Sequence, residues 1–145
     1  MEAVCHCKNC QKQAGSAFST LAGIKKSDFS LTGKPKLFVD KATDSGASVE
    51  RYFCENCGSP IYSALPSQPD VIYLKTGTLD DTSDFNPSIH VWAATKQNWV
   101  EIDSNMPQLQ KQSWAQFTAT RLTFKVKIMK DFTDKIKAQI GISQN

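Results

Sequence analysis

Five cysteines in two tight clusters constrain this chain more than any other feature. They are Cys5, Cys7 and Cys10 in Cys5-His6-Cys7-Lys8-Asn9-Cys10, and Cys54 and Cys57 in Cys54-Glu55-Asn56-Cys57-Gly58. Disulfides fit this pattern poorly. The count is odd, and Met1-Glu2-Ala3-Val4 lacks the basic and apolar stretches of a secretory leader, so a cytoplasmic location is expected. Three thiols within six residues need a cation to organise them. Zinc takes thiolates at about 2.3 Å in tetrahedral sites with spacers of two to four residues. All five cysteines are therefore candidate metal ligands, with zinc the expected ion.

The spacing leaves their division open. One zinc can take Cys54 and Cys57 with two of the first trio. Alternatively, the trio holds an ion with an open fourth position, and Cys54 and Cys57 need two further donors. His6 and His90 are the only imidazoles. His6 lies between two ligand positions and would be strained on the same ion, while His90 reads as a hydrogen-bonded structural residue. Cys54-x-x-Cys57 also admits redox chemistry, but such pairs belong at a helix N-terminus in a βαβ setting, and its flanks read as strands. Gly58 is free to take positive φ and turn backbone N–H groups toward sulfur.

The 145 residues suit a single domain, and 40% hydrophobic with 21% charged content is ordinary globular usage. No apolar run reaches the roughly 18 residues of a membrane span. Short apolar stretches at Phe18 to Ile24, Lys36 to Asp40, Val49 to Phe53, Ile61 to Leu65 and Val71 to Thr76 predict strands, separated by turn residues. Asn86-Pro87 leads into a further strand at Ile89-His90-Val91-Trp92. Asn98 to Ile102 is apolar enough to pack on a sheet, and Trp92 and Trp99 read as core. The predicted class is mainly β.

Charge is uneven. Residues 1–115 carry 11 Lys/Arg against 12 Asp/Glu, and residues 116–145 carry 6 against 2. A near-neutral body argues against a dedicated nucleic-acid binder, which shows a basic face. In the tail, Leu122, Phe124, Val126 and Ile128 alternate with polar residues and predict a strand. Asp131 then caps a predicted short helix carrying Phe132, Ile136 and Ile140. The expected organisation is a zinc-binding β domain over 1–108 and a basic extension over 109–145.

The ordered set Cys5-His6-Cys7-Lys8-Asn9-Cys10-Gln11, Gly15-Ser16-Ala17-Phe18, Phe53-Cys54-Glu55-Asn56-Cys57-Gly58-Ser59-Pro60, Gly77-Thr78-Leu79-Asp80-Asp81, His90-Val91-Trp92 and Lys96-Gln97-Asn98-Trp99 resembles the glutathione-dependent formaldehyde-activating enzyme family. Centromere protein V shares that domain. The resemblance runs from Cys5 to about Gln108. It implies small stacked antiparallel sheets carrying zinc. It also implies that Cys5, Cys7 and Cys10 hold a catalytic zinc, and that Cys54 and Cys57 join an early Cys-x-Cys in a structural one. That early pair has no counterpart here, so the domain reads as shortened at its N-terminus. The alternating 122–128 segment is then a candidate to fill the opening strand's place, within one chain or across a homodimer.

The implied activity is zinc-dependent carbon–sulfur lyase chemistry on thiol–aldehyde adducts, with S-hydroxymethylglutathione forming from glutathione and formaldehyde. A small-molecule thiol such as glutathione is the expected partner, with no membrane and no nucleic acid. Lys8, Lys12 and Lys96 are candidates to attract its carboxylates. The alternative is a non-catalytic zinc module that binds protein or nucleic acid through the basic tail.

Overall fold

A computed structural model describes residues 1–41 and 44–111. The strand at 122–128, the helix at 131–140 and nearly all of the predicted extension lie outside the described residues. Within them, eight strands form one hydrogen-bonded sheet: β1 (Glu2–Cys5), β2 (Ser19–Lys25), β3 (Lys36–Asp40), β4 (Val49–Phe53), β5 (Pro60–Ala64), β6 (Val71–Lys75), β7 (Ile89–Val91) and β8 (Gln108–Leu109). Their order across the sheet is β3-β4-β5-β6-β2-β1-β7-β8. One α-helix, α1 (Lys8–Ala14), follows β1.

The mainly β class expected from the sequence is what the chain adopts. The arrangement differs in two respects from the small stacked antiparallel sheets that the resemblance implied. The strands make one continuous ladder, and it is mixed, because β1 pairs with β7 and β7 with β8 in parallel. The remaining pairs are antiparallel. β1 is therefore an interior strand, flanked by β2 and β7, and among the described residues the edges of the sheet are β3 and β8.

Alternation along the strands divides the sheet into two unlike faces, since successive side chains point to opposite sides. Ala22 and Ile24 of β2 meet Leu74 and Ile72 of β6 on one face, where Phe29, Tyr62, Ala64 and Leu79 complete an apolar cluster. Those four central side chains are almost wholly buried. The other face carries Cys5, Ser19, Leu21, Lys75, Tyr73, Ser63 and Arg51, joined by the registers Cys5↔Ser19, Leu21↔Lys75, Ser63↔Tyr73 and Arg51↔Ser63. Several polar residues on a buried face are unusual, and each needs partners.

Helix α1 supplies some of them. Asn9 donates to Asp40 at 3.0 Å, and Gln13 accepts from Arg51 at 2.8 Å, so the helix is tied across the face at both its turns. Arg51 and Asp40 also form a direct ion pair at 2.8 Å with both side chains nearly buried. The helix stops at Gly15, whose φ of 57° is left-handed and whose N–H closes on the last helical turn.

Candidate functional site

Cys5 ends β1 on the polar face, opposite Ser19 and beside Val91 of β7. The chain then turns through His6, and Cys7 becomes the N-cap of α1, its sulfur accepting the N–H of Cys10 at 3.3 Å. One helical turn later Cys10 faces back toward the sheet. A strand end and a helix start thereby bring three sulfurs together: the Sγ atoms of Cys5, Cys7 and Cys10 all lie within 4.8 Å of one another. A tetrahedral ion at about 2.3 Å from each sulfur holds them about 3.8 Å apart. The trio therefore fits such an ion with movements of an ångström or less. Val91, Trp92 and Leu109 pack around it.

The three thiols share their protons unequally. Cys5 is pushed well above the usual thiol range because its S–H is shared with Cys10 and Cys7 and because it is buried. Cys7 is raised to about 11, chiefly through its hydrogen bond to Cys10. Cys10 is held well below the ordinary range, since both other thiols donate to it and Lys75 and Arg51 lie nearby. These shared bonds favour a thiolate at Cys10 over one at Cys5 or Cys7. All three can ionise together only beside a strong positive charge, which is what a divalent ion supplies.

Lys75 is the second part of the site. It is 4% exposed, its Nζ bonds Ser19 Oγ at 3.1 Å, and no carboxylate lies within ion-pair distance among the described residues. An ammonium buried that deeply requires a counter-charge. The thiol trio is the one facing it, and burial lowers the Lys75 pKa while Cys10 raises it. Three thiolates around a divalent ion leave one net negative charge, which one lysine neutralises. The donor set and its surroundings fit a thiolate-bound metal.

Between the trio and Lys75 lies a cavity of about 80 Å³, walled by Leu21, Leu65, Tyr73, Val91 and Trp92. Trp92 sits at its rim with φ 60°, a left-handed conformation that is strained for a bulky residue, by about 1–3 kcal/mol. Thr95 donates to the Trp92 carbonyl through both N–H and Oγ1, which holds that turn.

The family model for glutathione-dependent formaldehyde-activating enzymes matches residues 1–95, a stretch that holds the trio, Lys75 and the cavity. The chain belongs to that family. Among similar proteins, one of Podospora anserina named "Putative glutathione-dependent formaldehyde-activating enzyme" is 31% identical over 65 residues, covering 44% of this chain and 29% of that protein. Proteins of Aspergillus flavus and Aspergillus oryzae with the same name are each 30% identical over 63 residues, covering 42% of this chain and 31% of theirs. The chain thus matches about three tenths of the length of these relatives.

Within this formaldehyde-activating-enzyme domain, His6 turns away from the trio. It is fully buried, its Nε2 meets His90 Nδ1 at 2.8 Å, the two rings stack, and Phe18 packs edge-on. Its Nδ1 has no partner. A bare acceptor is cheaper to bury than a bare donor, so the proton belongs on Nε2, donated to His90. Burial lowers the His6 pKa to about 4, with His90 adding to the shift. His6 and His90 thus bond each other, and neither is among the three clustered donors.

The second cluster stands apart. Cys54 and Cys57 occupy a turn between β4 and β5, with Cys57 exposed. Gly58 takes φ 75° as anticipated, but its N–H goes to the Cys54 carbonyl at 2.9 Å rather than to a sulfur. Ser59 Oγ lies 3.2 Å from Cys57 Sγ. Among the described residues, the trio is the only group of three metal-donor side chains, and Cys54 and Cys57 are not in it.

Of the lysines singled out in the sequence, Lys96 Nζ bonds the Val100 carbonyl at 2.8 Å, and Lys8 and Lys12 are exposed. None of them lines the cavity; Lys75 does. Trp99 departs from its reading as core, at 70% exposed, because Val100 takes the inward position beside it. Lys75 and Ser63 were missed by sequence reasoning. Val71-Ile72-Tyr73-Leu74-Lys75 reads as a strand with a solvated charge at its end, and only the sheet register turns that charge inward. No helix among the described residues is long and apolar enough to cross a membrane.

Proposed function

We propose that this domain binds one zinc ion through Cys5, Cys7 and Cys10 and uses it in carbon–sulfur lyase-type chemistry, joining glutathione reversibly to formaldehyde. The observation that carries the reading is the convergence of three sulfurs within 4.8 Å beside a buried lysine and a small cavity. Bound there, zinc would supply the positive charge that keeps an incoming thiol ionised at neutral pH. The family membership and the names of the relatives support glutathione and formaldehyde as the substrate pair.

The chain's own residues have definite tasks in this reading. Lys75 balances the charge of the thiolate set, so that a further thiolate approaches a near-neutral centre. Leu21, Leu65 and Val91 exclude bulk water, which limits hydrolysis and strengthens each polar contact inside. The cavity of about 80 Å³ decides what enters. One water needs about 10–15 Å³ of such space, so the cavity holds a group of several heavy atoms, such as a thiol end with a one-carbon fragment. Cys54 and Cys57 form at most half a metal site, and the proposed stoichiometry is one ion per chain.

Elemental analysis of the full chain purified under reducing conditions tests the first claim. About one zinc per chain is expected, as for a single site with three protein ligands. The second claim is tested by the rate of S-hydroxymethylglutathione formation above the uncatalysed background, with the chelator-treated protein as control. A metal-loaded protein that adds nothing to the background refutes the enzymatic reading. DNA retention that disappears in moderate salt would instead favour a binding module.

A further inference from the structure

The outer edge of β3 is both apolar and exposed. Among the described residues, four large apolar side chains are exposed, and three of them are consecutive: Leu37, Phe38 and Val39, at 48%, 58% and 41%. The fourth, Trp99, lies between β7 and β8. β3 pairs with β4 along one side, and no described strand runs along the other. Proteins blunt such an edge with charge, proline or a bulge, because its unpaired N–H and C=O groups invite another strand. Here those devices stand only at the strand's ends. Pro35 and Lys36 precede the apolar run, and Asp40, which is buried, closes it. Side chains alternate along the strand, so Leu37 and Val39 point to one face and Lys36, Phe38 and Asp40 to the other.

Symmetry limits how a second copy of this strand can pair with the first. Residues directly opposite in an antiparallel pair share a face. Two copies related by a two-fold axis perpendicular to the sheet must therefore set one residue opposite itself. With Phe38 opposite Phe38, Leu37 meets Val39 twice and Lys36 meets Asp40 twice. Each position then has a complement: an aromatic pair at the centre, an aliphatic pair on either side and opposite charges at both ends. A centre at Leu37 sets Lys36 against Phe38 and draws Pro35 into the ladder, where it has no N–H to give. A centre at Val39 sets Asp40 against Phe38. Asp40 is anchored by Arg51 and Asn9, and Lys36 by Glu55 at 3.1 Å. The ends of the central register therefore join as Glu55–Lys36 of one copy and Asp40–Arg51 of the other, a row in which charge alternates.

We infer that β3 is the docking edge for a second copy of this chain, which pairs antiparallel through its own β3 around Phe38 and continues the sheet. Charge favours this occupant over the chain's own 122–128 segment. Leu122-Thr123-Phe124-Lys125-Val126-Lys127-Ile128 has no acidic residue to set against Lys36. The inference goes beyond the proposed function and depends neither on the metal nor on the chemistry at the trio.

Sedimentation equilibrium of the full chain tests it, with amide exchange followed over residues 36–40. The mass should rise from 16.1 kDa toward twice that value as concentration increases, and exchange over 36–40 should slow in step. Phe38→Lys sets like charges against each other at the centre and should weaken association at least tenfold. Lys36→Glu does so at both ends and should weaken it several-fold. Both side chains are exposed, so both variants should melt like the parent in dilute solution. Trp99→Lys removes a still more exposed apolar side chain elsewhere and should associate like the parent. A chain that stays monomeric at every concentration overturns the inference. So does a dimer that Phe38→Lys leaves intact, or one that Trp99→Lys weakens equally. Protection of 36–40 that is already complete in the monomer overturns it as well, and puts another part of the same chain on this edge.

Discussion

Cys7-x-x-Cys10 and Cys54-x-x-Cys57 have the same spacing and unlike surroundings. The first begins a helix, receives a third sulfur from a neighbouring strand, and faces a buried lysine. The second crosses a surface turn, where Ser59 bonds the Cys57 sulfur. Their supports differ as well. The first is held by the Arg51–Asp40 pair, with side chains 6% and 11% exposed, and by the bond of Asn9 to Asp40. The second is flanked by Lys36–Glu55, with side chains 62% and 51% exposed. Two residues between cysteines thus permit a metal site without making one. The third donor, the counter-charge and the exclusion of water make it.

The sharpest break in that comparison is metal retention. Cys10→Ser should lose the ion entirely, while Cys57→Ser should keep about one per chain, as three remaining ligands require. Elemental analysis reads both, and equal loss from the two variants would erase the distinction between the clusters. The supporting pairs come next. Asp40→Ala leaves the Arg51 charge buried without its carboxylate and removes the Asn9–Asp40 bond, and should cost about 3–5 kcal/mol in urea unfolding.

Acid probes the buried histidine that the first cluster has and the second lacks. The His6 pKa falls from 6.5 to about 4 in the folded chain. Between those values the unfolded chain takes up a proton that the folded chain refuses, so stability rises with pH across that window. The contribution is complete above pH 6.5 and is lost as pH falls toward 4, amounting to about 3 kcal/mol. Urea melts of chelator-treated protein between pH 4 and 7 should show that slope, and His6→Asn should flatten it. The smallest effect belongs to the second cluster: Glu55→Gln should change stability by about 0–1 kcal/mol, as for any exposed pair. A larger loss would mean that the outer turn bears on the fold more than its exposure implies.

How much of this was legible depends on how far each feature reaches along the chain. Strands β3 and β4 fall where Lys36 to Asp40 and Val49 to Phe53 were read, and β2, β5, β6 and β7 fall within a residue or two of their readings. Their apolar and β-branched stretches are long enough to carry a pattern. Strand β1 has four residues and runs into the cysteines, and β8 has two. Helix α1, Lys-Asn-Cys-Gln-Lys-Gln-Ala, has almost no apolar period, because its inward side carries a thiol and polar side chains rather than leucines. Its polar residues favour a helix only once Asp40 and Arg51 are there to receive them.

The cysteine spacings nominated sulfur as the donor, since three thiols within six residues start close together whatever the rest of the fold does. Local sequence likewise fixed most strands, because alternation acts between residues two apart. The tertiary structure decided which sulfurs meet, that His6 turns away while Cys5 and Cys7 converge, and that Lys75 and Ser63 face them. Those outcomes depend on strand register, which joins β1, β2, β5 and β6 across dozens of residues and carries no signature in any one of them.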